Sequence, residues 1–139
     1  MDREVIEQKL ESLRRCLQRL EDKCPPAPEI LAGDVDLQDI VALNLSRAVQ
    51  ISVDIGAHLI AGMNVPPPGT MGQTFDLLVQ EGLLSNEIAA NLKKAVGFRN
   101  IAVHNYERIN WLIVHSTVKY HLGDFVQFAK MVTKKLDEK

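Results

Sequence analysis

The sequence is poor in cysteine and in aromatic residues. Its two cysteines, Cys16 and Cys24, have no further partners at metal-ligand spacing, which favours reduced thiols inside the cell over a zinc site or a disulfide framework. Aromatic residues make up only 5% of the chain, so we expect a core of Leu, Ile, Val and Ala, as in packed helices. The first segment, MDREVIEQKL, carries charges where a secretory signal needs an apolar stretch, and this predicts a cytoplasmic protein.

Charged and polar groups also interrupt the most apolar part of the chain, residues 37–63. Asp39, Arg47, Asp54 and His58 all lie within it. Because charged groups near the centre of a bilayer are costly, this stretch is predicted to be a buried helix of a soluble protein that has no membrane partner.

Several catalytic signatures are missing as well. The four histidines form neither an H-E-x-x-H pair nor a Cys/His ligand set, and the chain has no G-x-x-x-x-G-K-[ST] or G-x-G-x-x-G loop. No serine or cysteine triad is indicated. We therefore predict an activity that uses no metal and no cofactor.

Charge is distributed unevenly along the chain, although the net charge is only −2. Residues 24–92 carry eight acidic side chains and one basic one, whereas residues 93–139 carry nine basic and four acidic ones. The positive charge of the last third could attract phosphate groups. Lysines on the solvated face of a C-terminal helix would account for part of this excess.

Apolar residues recur at three- and four-residue steps and no stretch alternates with a period of two, which predicts an all-α protein. We expect a single helical domain over residues 1–139, built as a bundle of four to five helices with two proline-rich connections. The predicted helices are residues 2–22; a long helix capped by Asp34 or Asp36 that ends near Met63; residues 70–81, followed by Gly82; residues 86–104, capped by Ser85; and residues 111–136, capped by Asn110 and including Gly123.

One stripe of the predicted long helix is polar. Arg47, Gln50, Asp54 and His58 are spaced by three, four and four residues, so they stack along one face. The stripe would either face solvent with ion pairs along the helix, or line a cleft or subunit interface in which Asp54 orients an Arg or His of another helix. Both interpretations are open at this point.

The most unusual segment is FRNIAVHNYER, residues 98–108, which brings Arg99, His104 and Tyr106 close together. In a regular helix Arg99 and His104 would be about 140° apart around the axis, whereas Asn100 and His104 would share a face. These residues make a better site if the helix ends or kinks near His104, or if a second subunit brings its own copy alongside. A two-fold dimer would place the two copies face to face.

The residue types of this segment suit RNA cleavage without a metal. Histidine takes and gives a proton near neutral pH, and arginine binds phosphate in a fork and stabilises the charge that develops on it. RNA supplies its own nucleophile, the 2′-hydroxyl group. The structural alternative is that His104 caps or packs at a helix end while Tyr106 packs its ring and bonds its hydroxyl group.

The segment RNIAVHNY resembles the R-x4-H-x-Y signature of HepT-type toxins, a branch of the HEPN domain ribonucleases. The resemblance extends to the long helix with NLSRAVQISVDIGAHLIA, the proline-rich connection, the short helix TFDLLVQEGLLS and the helix LKKAVGFRNIAVHNY, which follow in the family's order. It covers about residues 1–136.

This resemblance implies an all-α, HEPN-like homodimer whose paired motifs form one composite cleft. It implies that Arg99 and His104 are the catalytic pair of a metal-independent endoribonuclease, the toxin of a type VII toxin–antitoxin system. It also implies that a nucleotidyltransferase of the MNT type, the antitoxin, neutralises the protein by transferring AMP from ATP onto Tyr106. The resemblance further assigns supporting positions in the cleft to Asn100, Asn105, Arg47, Asp54 and His58.

A non-catalytic helical adaptor is the alternative. Its paired motif would bind a nucleotide or a nucleotidyltransferase without cutting RNA, in keeping with the modest basic charge and the lack of an aromatic stacking platform. A purely structural bundle, with the motif as a helix cap, is the third interpretation.

Overall fold

The computed structural model describes residues 2–138, and helices account for most of them. They are α1 (Arg3–Lys23), α2 (Pro28–Ala32), α3 (Val35–Ala61), α4 (Met71–Gln80), α5 (Asn86–His104), a 3₁₀ turn (Tyr106–Arg108), α6 (Trp111–Tyr120) and α7 (Leu122–Asp137). No strand occurs within residues 2–138, and the predicted all-α class is confirmed.

Local side chains set most of the helix boundaries. The side chains of Asp34, Thr70, Ser85 and Asn110 each accept a hydrogen bond from a backbone N–H in the first turn of the helix that follows. Asp34 is thus the cap of the long helix. Gly82, just beyond α4, has a φ of 76°, the left-handed conformation expected of a glycine that ends a helix.

Two parts of the predicted helix order were wrong. The proline-rich stretch after residue 24 is more than an interruption, because Pro28 begins the one-turn helix α2 at a position where its missing N–H costs nothing. The single helix predicted over residues 111–136 is two helices, α6 and α7, which meet at His121. At φ −122° and ψ 7° the His121 backbone leaves the helical conformation, and the new direction of α7 buries Phe125 and Phe128.

The long helix α3 is the centre of the fold. It packs along α1 and also contacts α4, α5 and α7. By length and composition α3 could cross a membrane, but 56% of its most apolar window is buried among the other helices, as predicted for a core helix. Gly56 lets α4 approach closely, because a Cβ at this position would lie 2.5 Å from Cγ2 of the buried Thr74.

A buried histidine ties α6 to the proline-rich loop before α2. His115 is 6% exposed, and its Nε2–H donates to the carbonyl oxygen of Pro25 at 2.7 Å. Since a carbonyl can only accept, Nε2 carries the hydrogen in this contact. His115 therefore belongs to the packing of the fold.

Candidate active site

The helix α5 ends at His104, inside the segment that the sequence singled out. The N–H of Asn105 closes the last turn on the carbonyl of Ile101 at 2.8 Å, and then the Asn105 backbone, at φ −156° and ψ 64°, leaves the helix. The predicted helix end at His104 is therefore present. Its imidazole is exposed at the terminus of α5.

Arg99 and His104 lie on one continuous helix. Their separation of five residues corresponds to about 7.5 Å along the axis and about 140° around it. The half-buried Arg99 places Nη1 3.4 Å from Oδ1 of Asn100, and Asn100 lies one turn before His104 on the same face. A single protomer therefore presents the arginine and the histidine on different faces of α5.

Tyr106 begins the 3₁₀ turn that follows α5, and both ends of its side chain are held. Its ring packs edge-on against Trp111, with 5.9 Å between ring centroids, and its carbonyl accepts from the N–H of the buried Ile109. Its hydroxyl group donates to Oδ1 of Asp39 in α3 at 2.6 Å. The residue is nevertheless 38% exposed, and it lines a groove that is open to solvent.

The surroundings of Tyr106 keep its phenol protonated. Burial, followed by the hydrogen bond to Asp39 and the charge of that carboxylate, raises the pKa of Tyr106 to about 12. Asp39 was not predicted to be part of the site, because 67 residues separate it from Tyr106 in the chain. Its only sequence signal is a carboxylate within a stretch that is otherwise mostly apolar.

A groove of about 300 Å³ lies between α3 and the end of α5. Its lining consists of Asp39, Ala42, Leu43, Ser46, Ala102, Val103 and Tyr106. Leu43 and Val103 on its rim are 57% and 56% exposed. Neighbouring apolar side chains that stay this exposed are typical of a surface that another chain covers.

Arg47 lies in a second groove, between α1 and α3, that adjoins the first because Leu43 lines both. This groove measures about 370 Å³, and its lining brings Arg15 and Arg19 of α1 beside Arg47. Three arginines thus line one groove that adjoins the groove of Tyr106, although Nε of Arg15 lies 3.5 Å from Oε1 of Glu11. Arginine side chains in such a groove are suited to phosphate oxygens.

Asp54 and His58 lie in a third groove, which they share with Lys9. Gln50 donates to Asp54 at 3.0 Å along the helix, and Nζ of Lys9 lies 3.8 Å from Oδ2 of Asp54. The lining of this groove includes neither residue of the pair on α5 nor Tyr106. Within one protomer the polar stripe of α3 is therefore divided between two grooves.

The described residues, 2–138, include no group of three or more His, Cys, Asp or Glu side chains that could hold a metal ion. Cys16 and Cys24 are both free, the first of them buried.

The chain is similar to known proteins over most of its length. Residues 4–132 match the model of a family described as ribonuclease HepT-like. The chain is 36% identical over 129 residues to the mRNA nuclease HepT of Shewanella oneidensis, with 93% of this chain and 96% of that protein covered.

Solved structures of similar fold include the tri-AMPylated Shewanella oneidensis HEPN toxin in complex with MNT antitoxin. That toxin matches with a TM-score of 0.88 and 35% identity over 96% of this chain and 99% of the other. YutE of Bacillus subtilis, a cytosolic protein of unknown function, has a TM-score of 0.84 over 98% of this chain and 91% of its own, but only 20% identity, and so shares the fold alone.

Proposed function

The chain belongs to the HepT-like ribonuclease family, and we propose that it is the toxin of a toxin–antitoxin pair, an endoribonuclease that an MNT-type nucleotidyltransferase inactivates by AMPylation. The observation that carries the proposal is the complete R-x4-H-x-Y segment at an exposed helix end, with Tyr106 held in place and accessible. The comparisons support it, since a relative is named an mRNA nuclease and a solved structure of similar fold is that of a tri-AMPylated toxin in complex with MNT antitoxin.

In the proposed reaction RNA is cut by transesterification, with no metal. The 2′-oxygen attacks the adjacent phosphorus, the bond to the 5′-oxygen breaks, and a 2′,3′-cyclic phosphate remains. Arg99 binds the phosphate and stabilises its growing negative charge. One copy of His104 removes the proton of the 2′-hydroxyl, and a second protonates the leaving 5′-oxygen. The exposure of His104 makes it available for both proton transfers.

A homodimer would supply the second histidine. The exposed apolar side chains Leu43 and Val103 lie beside the segment, and a two-fold axis through this face would bury them while bringing two copies of His104 together. It would also combine Arg99 of one protomer with His104 of the other, which the 140° separation on one helix favours. Asn100 and Asn105, exposed on either side of His104, would bond to the sugar and phosphate groups of the RNA.

The groove of Arg15, Arg19 and Arg47 would hold the RNA backbone next to the cleft. Its position beyond Leu43 is suitable for phosphates that flank the cleavage site, and arginine forks bind such oxygens in pairs. The proposal leaves Asp54 and His58 outside the cleft of their own protomer, because they share a separate groove with Lys9.

AMP on Tyr106 would block this cleft. The transferred group adds a phosphate charge and the bulk of adenosine to the hydroxyl group, beside the segment that must receive RNA. The added phosphate would also compete for Arg99 and repel the RNA backbone. Because the RNA substrate and an ATP-using partner are cytoplasmic, we propose that the protein acts in the cytoplasm.

The proposal is tested with end-labelled RNA in the presence of EDTA, using protein purified without its partner and verified by mass to be unmodified. We expect cleavage that leaves 2′,3′-cyclic phosphate ends, and a loss of at least about 100-fold in His104→Ala. His58→Ala serves as the matched control, since it removes an exposed histidine from the groove shared with Lys9, and should cut normally. Equal rates in His104→Ala and wild type would contradict the mechanism.

The composite cleft has its own test. Arg99→Ala and His104→Ala proteins, each inactive alone, are mixed under conditions that exchange subunits. If the arginine and histidine act across the dimer, the mixed dimer contains one intact combination of Arg99 and His104. Its single His104 makes one of the two proton transfers and water makes the other, so we expect a small fraction of wild-type activity, above that of either parent variant. If exchange is confirmed by mass and no activity returns, the two residues act within one protomer.

A further inference from the structure

Among the described residues, Asp39 is the one whose side chain bonds to the hydroxyl group of Tyr106. The oxygens are 2.6 Å apart, within the short range of hydrogen bonds in which a hydroxyl donates to a carboxylate. The contact joins the start of α3 to the turn after α5, two segments that no backbone hydrogen bond connects in residues 2–138. It therefore fixes the direction of the phenolic proton as well as the position of the oxygen.

We propose that Asp39 is the general base for the AMPylation of Tyr106. Its carboxylate accepts the phenolic proton as the Tyr106 oxygen forms a bond to the α-phosphorus of a nucleoside triphosphate; the bond from that phosphorus to the bridging oxygen breaks, and pyrophosphate leaves. The inference rests on the proposed function, because it requires that Tyr106 accept AMP. It adds that the protein that receives AMP also supplies the group that takes up the phenolic proton.

The ionisation of Tyr106 explains why a base is needed. With a pKa of about 12, the phenol is ionised in roughly one molecule in 10⁵ at pH 7. A reaction that requires free phenolate is therefore very slow. A base already in contact with the proton removes this requirement, because the proton leaves as the new bond forms. General-base catalysis of this kind typically contributes about 10²- to 10⁴-fold.

The geometry leaves room for the other reactant. Tyr106 is 38% exposed, and the groove beside it is open along α3. Apart from Asp39 and Tyr106, the groove is lined by apolar side chains and Ser46, with no other titratable group. The ring contact with Trp111 and the hydrogen bond to Asp39 orient the oxygen before the nucleotide arrives, which lowers the entropic cost of reaction.

The experiment compares wild type with Asp39→Asn, which keeps the size of the side chain and removes the proton acceptor. Asp36→Asn is the matched control, because Asp36 is an exposed carboxylate one turn earlier on α3 that does not line the groove. Each protein is mixed with ATP, magnesium and an excess of the nucleotidyltransferase, and the single-turnover rate of AMP attachment to Tyr106 is followed by mass between pH 7 and 9. Because the nucleotidyltransferase is in excess, the measured rate does not depend on how tightly each variant binds it. Circular dichroism confirms that each variant is folded.

We expect Asp39→Asn to react at least about tenfold more slowly at pH 7, since the loss of the base outweighs the easier ionisation of a phenol freed from a neighbouring charge. Its rate relative to wild type should rise by about tenfold per pH unit, because the phenol must then ionise first. Asp36→Asn should match wild type at every pH, and Asp39→Glu should recover part of the rate.

Three results would overturn the inference, and each is distinguishable. An Asp39→Asn rate equal to that of wild type would show that the proton leaves by another route. A slower rate with the pH dependence of wild type would reduce Asp39 to a positioning residue. No AMP on Tyr106 of the wild-type protein would remove the proposed AMPylation, and the role of Asp39 with it.

Discussion

The contact between Tyr106 and Asp39 makes a prediction that needs no partner protein: substitution of Asp39 will lower the pKa of Tyr106. The chain has only two tyrosines, so Tyr120→Phe leaves Tyr106 as the sole group whose phenolate absorbance rises with pH. Tyr120 is 74% exposed at the end of α6, and loss of its hydroxyl should not disturb the fold. The comparison is Tyr120→Phe with and without Asp39→Asn.

The size of the effect follows from the geometry. A unit charge 2.6 Å from the phenol oxygen costs a phenolate about 1.6 kcal/mol even with the full screening of water, which corresponds to about one pKa unit. Loss of the hydrogen bond adds to this, whereas burial, the largest cause of the raised pKa, remains in the variant. We therefore expect the pKa of Tyr106 to fall from about 12 by one unit or somewhat more, without reaching the ordinary value near 10.

The assay is an ultraviolet titration, with circular dichroism recorded on the same samples so that only folded protein is counted. The folded-state pKa lies above that of an unfolded tyrosine. The surroundings of Tyr106, burial first and the contact with Asp39 second, therefore stabilise the protein below about pH 10, and this contribution disappears as the pH rises through about 12. Equal midpoints with and without Asp39→Asn, in folded protein, would show that Asp39 does not contact the Tyr106 hydroxyl group in solution.

Three further predictions concern the fold and the RNA surface. Gly56→Ala places a Cβ within 2.5 Å of Thr74 and should lower the free energy of unfolding by about 1–3 kcal/mol in denaturant titrations. Adding Thr74→Ser should restore part of this free energy. Gly97→Ala has open space around it and should not lower the free energy of unfolding. His115→Ala leaves a cavity and an unpaired carbonyl, and should cost about 2–3 kcal/mol in the same assay without changing the RNA products. Arg47→Gln should lower the slope of log affinity against log salt for single-stranded RNA by about 0.7, whatever the RNA sequence, and an unchanged slope would exclude a phosphate contact.

The helix boundaries that were predicted correctly are those that a nearby side chain determines. Thr70, Ser85 and Asn110 each bond to a backbone N–H two or three residues ahead, and Gly82 supplies a conformation that few other residues adopt. Such signals lie within one turn of their effect and can be recognised in the sequence. The order of residues in the R-x4-H-x-Y segment is equally local, which is why the segment was recognisable without a structure.

Features that depend on packing between distant segments could not be predicted in this way. The break at His121 follows from the burial of Phe125 and Phe128 against other helices, and no proline marks it. The bond between Tyr106 and Asp39, like the meeting of Arg47 with Arg15 and Arg19, depends on how α3 packs against its neighbours. The hydrophobic pattern of each helix predicts which face is buried but not which helix will cover it.

The proposed protein cuts RNA without a metal, and AMP on Tyr106 turns this activity off. The most direct test divides a single batch of unmodified protein in two, treats one half with the nucleotidyltransferase and ATP until mass confirms complete modification, and removes that enzyme from both. Each half is then incubated with total cellular RNA and EDTA beside His104→Ala. We expect cleavage by the unmodified half alone. Cleavage by the AMPylated half, or by His104→Ala, at the rate of the unmodified protein would contradict it.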